Sequence, residues 1–290
     1  MPSTGIADTR VADCRSDTPS PELSNSTNHW ARFRSTHREV LAEFLATTIL
    51  ICIGQASTLQ STLDPDGSNK LAALSYGIGV MLSIYVAGSI SDAHLNPAIT
   101  VALAVFRGFP KRRILGYVVA QVMGAVAGCS IAYGVYSALG PTASQLVTAP
   151  TRTSYVCAFF NEFVASAIFM AGFLAISDVS NCPPVTGTDP FIIALIIAVL
   201  GFSFGYPMGP SLNPIRDFAP RVIAACVTLS GEVFTMHHYW FLWGGILAPI
   251  LGCLFGSLVY DLFVFTGAES PINWHYGKSH KRHEDEQAPV

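Results

Sequence analysis

A chain of 290 residues that is 51% hydrophobic and only 12% charged is not an ordinary soluble domain, where about a quarter of residues carry charge. Its formal net charge of −3 adds nothing about partners, and no nucleic acid is expected among them. Seven cysteines, odd in number and without C-x-x-C spacing, indicate small apolar packers rather than a metal or redox centre.

In chain order, residues 1–37 read as a disordered N-terminal tail, rich at first in Ser, Thr, Asp and Pro and lacking the basic start and apolar core of a signal peptide. Apolar stretches long enough to cross a bilayer follow at 39–59, 71–91, 114–136, 156–177, 190–206 and 239–265. A short apolar helix over 96–106 comes between the second and third spans, stopped by Gly108 and Pro110. Another, over 213–225, comes between the fifth and sixth. Residues 267–290 form a polar C-terminal tail. The expected fold is all-α and polytopic, with six transmembrane helices and two re-entrant half-helices, and a channel domain over 38–266 in two halves, 38–137 and 155–266.

Both short helices begin with Asn-Pro. Asn96 and Asn213 are strong N-caps, and Pro97 and Pro214 have φ preset for a first helical position that needs no N–H. Residues 96–106 span about 16 Å, half a hydrocarbon core. Ala42-Glu43-Phe44 in the first span is answered by Asn161-Glu162-Phe163 in the fourth; Glu43 precedes Asn96 by 53 residues and Glu162 precedes Asn213 by 51. Each half has an odd number of spans, so the second enters the membrane upside down. This is an inverted repeat, and its two helix starts meet head to head near the midplane. Lys and Arg orient it: with both termini cytoplasmic, twelve of the sixteen lie in inner segments and only Lys70, Arg152, Arg216 and Arg221 outside. That orientation leaves the sequon Asn25-Ser26-Thr27 in the cytoplasm.

The facing helix starts carry partial positive charge and repel cations, while the Asn NH2 groups donate to a passing neutral hydroxyl compound or water. Arg216, one turn after Asn213, is expected at the outer mouth; Asp217 complements the helix start and ties the loop, and Arg221 is placed toward the outer surface. Glu43 and Glu162 either accept backbone N–H groups of the re-entrant loops or relay protons in a coupled transporter. No nucleophile–base pair, phosphate loop or soluble domain suggests an enzyme, and no cofactor is implied. A non-conducting scaffold is the remaining alternative.

The stretches His94-Leu95-Asn96-Pro97-Ala98-Ile99-Thr100 and Asn213-Pro214-Ile215-Arg216-Asp217-Phe218 resemble the two signatures of the major intrinsic protein (aquaporin) family, over about residues 38–265. The resemblance implies a water or glycerol channel, usually a homotetramer with one pore per subunit, and gives His94 a supporting place in the first pore loop. Asp217, Arg221, Pro249-Ile250 and Tyr136 resemble markers of the glycerol-conducting branch. By position, Tyr76, Gly201, Pro210 and Arg216 would form the selectivity filter, with Gly201 widening it where water-selective members carry His. Two positions depart from the pattern. Pro210 stands where an aromatic ring is common, which implies a wider mouth that also admits urea or larger polyols. Ile215 replaces Ala, and its bulk either narrows the pore or is taken up by neighbours. The expected function is passive conduction of glycerol and other small neutral solutes with water, in the plasma membrane; the alternative is a water or hydrogen peroxide channel with poor glycerol flux.

Overall fold

The computed structural model describes residues 28–273. The tail up to residue 27 with its sequon, and the C-terminal residues from Trp274 on, lie outside the described residues. Helix α1 (His29–Thr36) belongs to a unit of its own, Met1–His37. Asn28 caps it by accepting from the Ala31 N–H at 2.8 Å, and Trp30 stacks on Phe33 with centroids 5.6 Å apart. The described end of the expected disordered tail is therefore helical, because it has a cap and an aromatic pair one turn apart.

From Arg38 onward the described chain is helical: α2 (Arg38–Leu63), α3 (Asn69–Ser91), the half-helix α4 (Pro97–Phe106), α5 (Ile114–Tyr136), a short α6 (Ala143–Leu146), α7 (Tyr155–Ser177), α8 (Asp189–Phe204), the second half-helix α9 (Pro214–Thr228), α10 (Glu232–Trp240) and α11 (Ala248–Phe263). Among the described residues, five stretches are long and apolar enough to cross a membrane: α2, α3, the stretch Lys111–Leu139 around α5, α7, and Glu232–Phe263. Their apolar interiors and Ser caps explain the helices; Ser68 accepts from Leu71 N–H at the start of α3, and Ser154 from Cys157 N–H at the start of α7.

The fifth span is the shortest of the six expected. The expected 190–206 becomes α8, 16 residues and about 24 Å long, and its helix ends at Phe204. Pro207 has no N–H to continue the ladder and disfavours helical backbone at Tyr206. The last span also starts irregularly. Within α10, His237, His238 and Tyr239 hold φ of 52°, 55° and 59°, and a π-helical stretch Phe241–Leu247 leads into α11.

Helix pairing repeats between halves. α2 packs on α5 as α7 packs on α11, and each half-helix crosses to the other half, α4 against α11 and α9 against α5. The small residues set these approaches. A Cβ on Gly124 would strike the Phe44 carbonyl and the Thr47 side chain, and one on Gly128 the Thr48 carbonyl. In the second half, Gly252 meets the Phe163 carbonyl and Ser166, and Gly256 the Ala167 carbonyl. These two glycine pairs, each spaced by four, are the backbone-to-backbone seams that join the long helices of each half.

Candidate pore and selectivity site

Each half-helix begins as its residues dictate. Asn96 Oδ1 accepts from the Ala98 N–H at 2.9 Å, and Asn213 Oδ1 from the Ile215 N–H at 3.2 Å. Each amide then donates across to the opposite loop: Asn96 Nδ2 to the Leu212 carbonyl and Asn213 Nδ2 to the Leu95 carbonyl, both at 2.8 Å. The two helix starts are thus clasped head to head. An amide has two N–H donors, so one per Asn is spent on the clasp and one is left over. The sequence alone implies that both remain for the solute.

Leu95 and Leu212 show what this clasp demands. They hold φ of 55° and 56°, a left-handed backbone that costs a non-glycine residue roughly 1–2 kcal/mol. It turns each carbonyl toward the partner Asn. The buried carboxylates hold the loops there. Glu43 Oε1 accepts from His94 N–H and Ser91 Oγ, both at 2.8 Å, and Oε2 from Leu95 N–H at 2.9 Å and Gln121 Nε2 at 2.8 Å. Glu162 accepts from Ser211 N–H and Ser211 Oγ at 2.8 Å and from Leu212 N–H at 2.6 Å. Both glutamates are fully buried. His94 Nδ1 lies 3.1 Å from Thr100 Oγ1, and its ring packs on Phe109 and Tyr117.

Tyr76, Gly201, Pro210 and Arg216 line one cavity of ≈ 820 Å³. The Arg216 guanidinium lies over the Tyr76 ring, 5.2 Å from its centroid, and donates to the Pro210 carbonyl at 3.3 Å. Pro210 therefore contributes a carbonyl that positions the cation, rather than a ring. Tyr76 packs against Gly54, whose missing side chain makes room for it. Gly201 lines the cavity, but its missing Cβ points at Ala73 on α3, 2.5 Å away, so its bareness also lets α8 close on α3. Pro220 inside α9 has no N–H to give the Arg216 carbonyl, leaving it without that helical bond.

A second cavity, of ≈ 40 Å³, shares Tyr76, Ile197, Ser211 and Leu212 with the first. Asn96, Asn213 and the loop residues His94, Leu95, Ser211 and Leu212 form part of its lining, and Val80, Ile84, Phe169, Phe173 and Ile197 much of the rest. The lining thus combines polar loop groups with aliphatic and aromatic side chains.

Several expected residues sit elsewhere. Ile215 is 1% exposed, packed in the core, and lines none of these cavities, so its bulk is taken up by neighbours. Arg221 was expected at the outer surface and is instead fully buried. It donates from Nε to Asp217 Oδ2 at 2.7 Å, from Nη1 to the Val233 carbonyl at 2.5 Å and from Nη2 to the Thr148 carbonyl at 2.6 Å. Asp217 also takes the Thr148 hydroxyl and N–H. The four-residue spacing and the loop carbonyls draw this cation inward. Asp217 thus ties down the loop before α7, and its carboxylate abuts Gly245. Tyr136 donates to Gln60 Oε1 at 3.0 Å, Pro249 is buried, and Ile250 packs against the core; none of the three lines the two cavities. The sequence reading missed Gln121, Ser211 and Thr148. Gln121 was detectable as the lone amide of its span; Thr148, in an irregular loop, left no signal.

The comparisons agree with this architecture. The family model for the major intrinsic protein matches residues 30–260. An aquaglycerol porin of Saccharomyces cerevisiae is 39% identical over 264 residues, covering 85% of this chain and 41% of its own length. Aquaglyceroporin-4 of Botryotinia fuckeliana is 38% identical, covering 87% and 37%. The chain thus spans about two fifths of these relatives, whereas an aquaporin of Laccaria bicolor, 35% identical, is covered over 98% of its length. The X-ray structure of the aquaglyceroporin from Plasmodium falciparum superposes with a TM-score of 0.73 at 29% identity, covering 78% of this chain and 96% of that one.

Proposed function

The chain belongs to the major intrinsic protein family, and from that premise we propose that it is a passive channel for glycerol and other small neutral solutes, with water as co-permeant. The observation that carries the reading is the pair of clasped asparagines. Each keeps one N–H beside a narrow lumen whose other wall is apolar. A polyol has the same two sides. Its hydroxyls exchange water for the amides, loop carbonyls and Arg216, and its CH groups meet Phe169, Phe173 and the aliphatic side chains. A cation gains no acceptor from the amides and faces two positive helix ends.

Asn96, Pro97, Ala98, Asn213, Pro214 and Ile215 are the paired signatures, with Asn96 and Asn213 reaching the solute. Tyr76, Gly201, Pro210 and Arg216 act as the filter, and Glu43, Glu162, His94 and Asp217 as supports. Both glutamates spend their oxygens on loop donors, which favours holding over proton relay. No bond is made or broken during passage, so the protein is not an enzyme. The channel domain is 38–266. The cavity of ≈ 820 Å³ is its outer vestibule, both termini are cytoplasmic, the location is the plasma membrane, and four copies assemble with one pore each.

Stopped-flow light scattering of reconstituted liposomes under an inward glycerol gradient tests this. Reswelling faster than empty vesicles, lost in a folded Arg216→Ala variant, is the expected result. Water flux without reswelling would transfer the assignment to a water or peroxide channel, and no flux of either from folded protein would overturn it.

A further inference from the structure

The vestibule has a one-sided charge inventory. Lys70 from the start of α3, Arg152 from the loop before α7, Arg216 from α9 and His237 from the left-handed turn all line the cavity of ≈ 820 Å³. No Asp or Glu is among its lining residues. Lys70 and Arg152 are exposed, and no ion pair within 4.0 Å joins them or Arg216 to a carboxylate among the described residues. Arg152 rests only over the Tyr206 ring, 5.3 Å from its centroid, and Arg216 over Tyr76. Of the acids in the flanking segments, Asp66 is exposed in the α2–α3 loop outside the lining, and three others are engaged. Asp64 accepts from Gln60 and the Asp66 N–H in the α2–α3 loop, Glu162 holds Ser211 and Leu212, and Asp217 is paired with Arg221. Positive charge in a concave, low-dielectric wall focuses its field and concentrates counter-ions. Guanidinium and ammonium donors suit carboxylates.

Resting on the reading of this cavity as the pore entrance, we propose that the vestibule is a binding site for small polycarboxylates, which dock on Lys70 and Arg152 above Arg216 and slow neutral-solute flux without passing. The volume accommodates such an ion with part of its hydration. The lumen of ≈ 40 Å³ below it is too small for such an ion, and its wall is largely apolar.

The probe is citrate, with chloride at matched ionic strength as control. Titration calorimetry on the purified full chain in detergent is expected to show saturable citrate binding. The doubly substituted Lys70→Gln/Arg152→Gln protein should bind about tenfold or more weakly. Higher salt should weaken parental binding as well, since these charges are exposed. In liposomes, citrate should slow glycerol reswelling by the parent and leave the double variant, whose filter is intact, at its basal rate. Failure of the parent to bind citrate at tens of millimolar, or equal binding by parent and variant, overturns the proposal. The two readings fail separately: glycerol flux without citrate binding leaves the channel and removes the site, whereas citrate binding lost in the variant but no glycerol flux leaves the site and removes the channel.

Discussion

The two re-entrant loops share a backbone and differ in what surrounds it. Both carry an Asn cap, a left-handed Leu and a buried Glu reaching two successive backbone N–H groups. Around the first the network is neutral: Gln121 donates to Glu43 and to Thr100, and Thr100 donates to the Asn96 carbonyl. Around the second it is ionic, since Asp217, standing where the first half-helix has Thr100, pairs with Arg221 and reaches Thr148. The difference teaches that the repeat conserves the chain path, which the clasp requires of both halves. The polar filling is free to specialise, and the charged version braces the half that carries Arg216.

The largest effect should come from the carboxylates. Glu43→Ala orphans two backbone N–H groups and one Gln121 N–H and leaves Ser91 only the Ala87 carbonyl at 3.5 Å; Glu162→Ala orphans two N–H groups and one hydroxyl. Each stranded buried donor costs about 1–3 kcal/mol. Little folded protein should survive either change in fluorescence-detected size exclusion, with Glu43→Ala the worse. A well-folded Glu43→Ala protein would break the comparison at its root.

Next comes the contrast of networks. Arg221→Met leaves Asp217 buried without its cation, and breaking such a pair costs about 3–5 kcal/mol. Gln121→Leu removes a neutral donor and should cost about 1–3 kcal/mol. Melting in detergent should rank them in that order; the reverse would mean that the ionic brace contributes little.

The Ile215 position separates packing from permeation. Ile215→Ala should destabilise by about 2 kcal/mol or more, because its side chain fills the core. Its glycerol flux per folded channel should not rise, because Ile215 lines neither cavity. The mirror change, Ala98→Ile, overpacks a fully buried site and should cost about 1–3 kcal/mol. A flux gain in Ile215→Ala would return Ile215 to the pore wall.

How far the sequence anticipates this molecule depends on the range of the interaction. Asn96-Pro97 and Asn213-Pro214 are local signals whose consequence, a capped helix start, is decided within three residues, so both half-helices were legible. Glu43 and Glu162 were legible as supports because an acid deep in a span needs donors and the loops need acceptors. Arg221 was not, because its burial depends on the Val233 carbonyl in the next helix and the Thr148 carbonyl, 73 residues away. The end of α8 could be read at Pro207, but hydropathy alone carries the span on to Tyr206. The left-handed turn at 237–239 has no glycine to announce it.

The smallest expected effect lies where α2 and α7 end. Asp64 and Asp178 close equivalent turns, each accepting the N–H two residues on, from Asp66 at 3.0 Å and Ser180 at 2.9 Å. Only Asp178 is buried, and it also takes the Ser180 hydroxyl and the Tyr260 hydroxyl at 2.8 Å. The Ser180 hydroxyl foremost holds its carboxyl below the ordinary carboxylate range. A carboxyl depressed in the folded state adds stability that is complete above the unfolded value and is lost as pH falls through the lower, folded one. Melting temperature followed from neutral pH into acid should therefore drop more steeply for the parent than for Asp178→Asn. Asp64→Asn, on an exposed turn, should leave the parental slope almost intact. Equal slopes for all three proteins would place the acid sensitivity elsewhere and reduce the two turns to equivalents in energy as well as in shape.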